Sequence, residues 1–238
     1  MLTCLPNAYG DAATNMAIDS ALMETVPAGT AALRHYGWSE PSITFGYSQR
    51  YREVAAKFAA DGITLCRRSS GGGIVDHRND WTYACIIHRQ VPCAEIPATK
   101  LYATVHQAMS SALDSLGQPT TFAPCPRQCH AKTPPTSGPD QCFIHPVMND
   151  LLTPEGRKIA GAAMKRSRRA LLIQGSLDRA SLPSQFNFTV LAKAFAKQLA
   201  EALRLQIAQP DDLRPYFDSQ KIEREKGKFA DTAWTQRR

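Results

Sequence analysis

A chain of 238 residues, 43% hydrophobic and 21% charged, is long enough to bury one sizeable core or two small ones. Its formal charge of +7 favours acidic or phosphate-bearing partners, but the basic residues are dispersed and no recognition-helix or RNA-binding signature marks a nucleic-acid binder. No apolar run approaches the ~20 residues of a membrane-spanning helix, the first thirty residues carry no secretory pattern, and seven cysteines without framework spacing suit a reducing compartment, the cytosol by expectation.

Asn15 is a helix-cap candidate, and Met16, Ala17, Ser20, Ala21 and Met23 behind it keep a helical period. "LRHYGW" and "SITFGY" read as strands parted by the turn-forming "SEP", and "ITLCRR" as a third strand running into Gly71–Gly73. "WTYACIIH" alternates in part, with Trp81, Tyr83, Cys85 and Ile87 on one face. Val105, Met109, Leu113 and Leu116 form a helix stripe that Gly117 stops. Residues 124–140 hold five prolines and read as a long loop. "NDLL" and "RKIAGAAM" flank "TPEG", where Pro154 and Gly156 suit a tight hairpin turn, and "ALLIQGSL" is the next strand. Residues 189–205 form the last long helix, lined by Leu191, Ala194, Phe195, Leu199 and Ala202. With no internal repeat and no boundary, one domain over 1–238 is expected.

Three groups of residues invite chemistry. In "RRSSGGGIVDH", two arginines and two serines precede three glycines whose amides could approach an anionic or elongated ligand; a bulged turn explains an isolated triple glycine equally well. Cys142 follows the proline-rich loop, and a nearby cation would lower its thiol pKa and favour the nucleophilic thiolate. Lys158, 16 positions on, is either that cation or a solvated amine; it sits at a hairpin start, outside the expected core. Four further charges at Lys165, Arg166, Arg168 and Arg169 read as a solvated tip or a surface for an acidic carrier. Cys125, Cys129, His130 and His145 have no usual zinc spacing, so a metal-free loop is expected.

In order along the chain, "NMAIDSAL", "LRHYGWSEPSITFGYSQ", "RRSSGGGIVDH", "NDLLTPEGRKIAGAAM", "LLIQGSL" and "KFADTAW" resemble the lipoate–protein ligase A family of the biotin/lipoate ligase superfamily. The resemblance implies an α+β fold with a mixed central sheet, a smaller sheet and packed helices. It also implies attachment of lipoyl or octanoyl groups to a lysine of a lipoyl carrier domain. Two chemistries fall within it. Ligase-like octanoyltransferases take the acyl group from octanoyl-acyl carrier protein through a cysteine thioester and need no cofactor. Ligases use free lipoate with ATP and Mg, often with an accessory domain or a separate accessory subunit.

"CF" ahead of "GRKIAG" resembles the transferase segment and puts Cys142 on the nucleophile position, with Lys158 stabilising thiolate or oxyanion. The absence of a recognisable accessory domain after "KFADTAW" points the same way. Substrate binding falls by resemblance on Arg68, Ser70, Gly71, Gly72, Gly73, His77, Gly161 and Gly175. The triple glycine is more ligase-like, Gln174 replaces a common histidine, and "GAAM" stands for the usual "GSAQ". A transferase is therefore expected, a ligase is the alternative, and a non-catalytic acyl- or carrier-binding protein is the third reading.

Overall fold

The computed structural model describes residues 1–124 and 146–238. Two short strands, β1 (Leu2–Cys4) and β2 (Ala8–Gly10), lead into helix α1 (Ala12–Thr25). Asp11 caps this helix, its carboxylate accepting the Thr14 amide at 2.7 Å. The expected cap, Asn15, is buried one turn inside the helix and donates to the carbonyls of Gly10 and Gly37, both at 3.0 Å. Its amide fastens α1 to the strand that follows.

That strand, β3 (Ala31–Trp38), and the next, β4 (Ser42–Phe45), enter different sheets. After helix α2 (Tyr51–Lys57) come β5 (Thr64–Arg67) and β6 (Ile74–Asp76), and the small sheet has the order β5-β4-β6. Ile43, Phe45, Val54, Phe58 and Ile74 are its core.

The large sheet is built by β7 (Asp80–His88), β8 (Thr121–Phe122), β9 (Leu151–Leu152), β10 (Lys158–Arg166), β11 (Ala170–Asp178) and β12 (Ile207–Ala208), together with β1, β2 and β3. Its order is β12-β1-β3-β7-β11-β10-β9-β8, with β2 joining the outer edge of β3 beyond β1. Parallel pairs at β1 and antiparallel pairs from β7 onward make it mixed. Trp81, Tyr83, Cys85 and Ile87 do share one face, packed under α3 (Ala98–Asp114) and α4 (Phe188–Ala202). Ala84 and Ile86 pack on the other face against α1 and Phe229 of α5 (Ser219–Ala230). β7 is thus buried on both sides, which blurs its alternation.

The turn at "TPEG" closes as expected: the Gly156 amide donates to the Thr153 carbonyl at 2.9 Å, and Gly156 sits at φ 82°, open to glycine without strain. A short helix α6 (Thr232–Thr235) ends the described fold. The architecture is α+β.

Candidate active site

A small cavity of about 30 Å³ lies where the small sheet meets β10, β11 and α1. Arg68, Gly72, His77, Gly161 and Gly175 line it, with Trp38, Thr44, Gln174 and Ser176 among their neighbours. Residues distant in sequence therefore meet at one place.

The arginine pair before the glycines is split by the strand's alternation. Arg67 turns away from the glycines: Nη1 donates to the carbonyls of Tyr47 and Gln49, just after β4, and Nε to that of Thr235 near the far end of the described fold. Arg68 turns back on the glycine loop: Nη2 donates to the Gly71 and Gly73 carbonyls at 2.9 and 3.0 Å, and Nη1 to Thr44 Oγ1 at 2.8 Å. Gly72 takes φ 87°, a conformation most side chains avoid, and a Cβ there would press on Ala163. The loop is held from below as well. Tyr47 N–H donates to the Ser70 carbonyl and Gly46 N–H to that of Gly73, and a Cβ on Gly46 would strike the Gly71–Gly72 backbone.

Behind Thr44 runs a buried polar chain. His77 Nε2 lies 2.7 Å from Thr44 Oγ1, and Nδ1 lies 2.7 Å from Asp80 Oδ2. The same carboxylate oxygen accepts the Thr82 hydroxyl at 2.9 Å and the Ser176 hydroxyl. Trp38 stacks on the imidazole with centroids 3.8 Å apart and donates Nε1–H to Thr82.

Lys158 is not the solvated amine of a hairpin start. It is buried, and its Nζ lies 2.6 Å from Asp150 Oδ2. Asp150 also accepts the Tyr102 hydroxyl and, at 2.6 Å, the Val147 amide. Gly161 makes room for this amine: a Cβ there would come 2.8 Å from Nζ, so Lys158 lies directly behind a residue of the cavity wall. Under Tyr102, His106 is fully buried with no hydrogen bond of ordinary geometry to either ring nitrogen. Burial, aided by the Lys158 charge and opposed by the Asn149 backbone, pushes its pKa down to about 3.

Ser70 reaches the site through Gln174, donating to Oε1 at 2.5 Å, while Gln174 Nε2 donates to Asp19 Oδ2 at 2.8 Å. Asp19 is paired with Arg34 at 2.9 Å and accepts the Tyr36 hydroxyl. A neutral amide thus bridges serine and carboxylate, using one acceptor and one donor. Gly175 underlies the Tyr83 ring on the opposite face, where no Cβ would fit.

Of the charges at 165–169, Arg166 donates to the carbonyls of Ala94 and Ile96 and Arg169 to that of Val26. They fasten the tip to its neighbours; they are not simply solvated. Cys142, the four-residue zinc candidate and most of the 124–140 loop lie outside the described residues. The described cysteines are free thiols, and burial raises the pKa of each, Cys66 to about 12. Among the described residues, no group of three His, Cys, Asp or Glu could hold a metal, and no helix is long and apolar enough to cross a membrane.

Sequence reasoning missed Thr44, Asp80, Ser176, Asp150 and Gly46. Only Asp80 and Asp150 had a readable signal, each a carboxylate next to a stretch already singled out.

Residues 11–202 match the lipoyl protein ligase A/B catalytic domain. Octanoyltransferase LipM of Kyrpidia tusciae is 32% identical over 173 residues, 71% of this chain and 62% of that protein. LipM of Geobacillus kaustophilus is 31% identical over 193 residues, 77% of this chain and 69% of its own. The chain spans about three-fifths of the length of the first of these and of the LipM of Staphylococcus aureus. Among solved structures, a lipoate-protein ligase A bound with ATP superposes with a TM-score of 0.74 at 19% identity, covering 98% of this chain and 97% of that one. The bi-partite lipoate protein ligase of Thermoplasma acidophilum, studied with its E2 lipoyl domain, gives 0.73 at 18%, covering 98% and 95%. At such identities the structures establish the fold, and the family match and the LipM relatives establish the lineage: the chain belongs to the lipoyl protein ligase A/B catalytic domain family.

Proposed function

We propose that this protein moves an octanoyl or lipoyl group onto a lysine of a lipoyl carrier domain through a thioester on Cys142. The observation that carries this reading is the buried Lys158 amine set directly behind Gly161, in the wall of the cavity that Arg68 and Gly72 also line. A fixed cation beside an acyl-binding cavity suits stabilisation of charge as it develops on a carbonyl oxygen. The relatives named octanoyltransferase support a transfer route, and burial, which raises the thiol pKa of Cys4, Cys66, Cys85 and Cys93, makes those four poor candidates for its nucleophile.

The reaction has two steps. The Cys142 thiolate attacks the carbonyl of octanoyl-acyl carrier protein, and the carrier's thiolate leaves. The carrier-domain lysine, as its free amine, then attacks the acyl-Cys142, expelling that thiolate and losing a proton as the amide forms. Thioester exchange is close to isoenergetic and amide formation runs downhill, so this route uses no ATP. The cytosol is the compartment this reading implies.

Intact-mass analysis tests it. After incubation with octanoyl-acyl carrier protein and no ATP, the protein should gain one octanoyl group, released by hydroxylamine and absent from Cys142→Ala. Modification of a carrier domain by Cys142→Ala that requires ATP, Mg and free lipoate, with lipoate-dependent pyrophosphate exchange, would assign the ligase route and overturn the transferase. In that case a separate accessory subunit becomes a partner to test. Carrier binding with neither activity would identify a non-catalytic binder.

A further inference from the structure

The chain of bonds from Asp80 to the glycine loop has only one consistent assignment of hydrogens. Arg68 can only donate, so Thr44 Oγ1 is the acceptor of its Nη1–H at 2.8 Å. The single hydroxyl hydrogen of Thr44 is then left for His77 Nε2, 2.7 Å away. In the arrangement that gives this hydrogen a partner, Nε2 is its acceptor. On the other side of the ring, Nδ1 faces Asp80 Oδ2 at 2.7 Å, a carboxylate oxygen that already accepts the Thr82 and Ser176 hydroxyls, so Nδ1 carries the hydrogen. A doubly protonated ring would leave the buried Thr44 hydroxyl hydrogen without a partner and set a second cation beside Arg68.

We infer that His77, locked by Asp80 as the neutral Nδ1–H tautomer, is a positioning residue that acts through Thr44 and Arg68 to fix the Gly71–Gly73 loop for the acyl donor. Arg68, Thr44, His77 and Asp80 are all buried, and the imidazole is clamped by the Trp38 ring, so the assignment is held by packing as well as by hydrogen bonds. Arg68 closes the chain by drawing together the carbonyls of Gly71 and Gly73, on either side of the positive-φ Gly72. The glycines supply the permissive backbone; the relay selects one shape of it. The kinetic consequence rests on the acyl-transfer reading, but the tautomer and the ordering of the loop do not.

The test therefore has arms that need no activity. In nitrogen-15 NMR of the wild-type protein at neutral pH, His77 should show one protonated nitrogen, Nδ1. Thr44→Val replaces a hydroxyl by a methyl of similar volume and cuts the relay. Losing one charge-assisted hydrogen bond should speed amide exchange at Gly46 and Tyr47, whose N–H groups donate to the Gly73 and Ser70 carbonyls of the loop, by about tenfold or more. Thr44→Ser, which keeps the hydroxyl, should return exchange towards wild type. If octanoyl transfer is found, Thr44→Val should raise KM for the acyl donor about tenfold while kcat moves much less. An Nε2–H tautomer or an imidazolium in the wild type overturns the assignment, and this needs no variant to fold. Unchanged exchange at Gly46 and Tyr47 in a folded Thr44→Val protein overturns the positioning role, whichever reaction the enzyme proves to catalyse.

Discussion

Lys158 shows how much a single side chain's surroundings decide. As a solvated amine it could be removed at little cost; as the partner of fully buried Asp150 it cannot. Deleting one member of a buried pair leaves the other uncompensated and costs about 3–5 kcal/mol. Lys158→Ala should therefore lower the melting temperature clearly, in addition to slowing acyl transfer by ~100-fold or more through loss of oxyanion stabilisation. The two effects separate if turnover is measured well below the variant's own melting transition. A folded variant with near-normal turnover would make Lys158 purely structural. Gln174 carries a related lesson: its single amide satisfies Ser70 and Asp19 at once. Being neutral, it adds no titrating group of its own to that junction, where the buried Asp19 carboxyl has its pKa raised by burial.

At the scale of elements, the glycine loop depends on the end of β4. Gly46 abuts the Gly71–Gly72 backbone without a Cβ between them. Gly46→Ala should force the two segments apart, costing about 1–3 kcal/mol by overpacking and loosening the loop; unchanged stability by chemical denaturation would show that this contact yields easily. Helices α3 and α4 were legible because each has a periodic apolar stripe; α1, buried on nearly every side, was found from its apolar run behind a polar residue, although Asn15 was mistaken for a cap that Asp11 supplies. The "TPEG" turn was legible from Pro154 and Gly156. Helix α5 was not, because it buries only Glu225 and Phe229 and so has no stripe; Asp218, capping it through the Lys221 amide, was its one local signal. Two- and three-residue strands such as β2, β6 and β12 are too short to show any period. In the site, Lys158 and the glycine loop stood out by charge and composition. Thr44 and Ser176 did not, since their partners lie 33 and 96 positions away and a lone hydroxyl in a strand is unremarkable until folded.

For the molecule as a whole, His106 sets part of the acid limit. It is neutral in the folded protein, with a pKa near 3, while in the unfolded chain it titrates near its ordinary 6.5. Below about pH 6.5 the unfolded chain takes up this proton and the folded one does not, so the stability present above that pH is lost as pH falls towards 3. The slope from this residue is up to ~1.4 kcal/mol per pH unit. His106→Leu should remove that slope, and because the ring nitrogens make no ordinary hydrogen bond, it should cost little at pH 7.5. Urea midpoints of both proteins at pH 7.5, 5.5 and 4.5 check this; parallel curves would place the acid limit elsewhere. The C-terminal segment has a different kind of consequence, one of timing. Arg67, next to Arg68, donates to the carbonyl of Thr235, and Trp234 Nε1–H donates back to the Arg67 carbonyl, across 168 and 167 positions. At the ribosome's pace of about 5–20 residues per second, the base of the glycine loop waits roughly 8–34 s for these partners to be made. The β4–β5 pairing and the Arg67 bonds to Tyr47 and Gln49 can form well before then, but the remaining ties at Arg67 wait until Trp234 and Thr235 have been made.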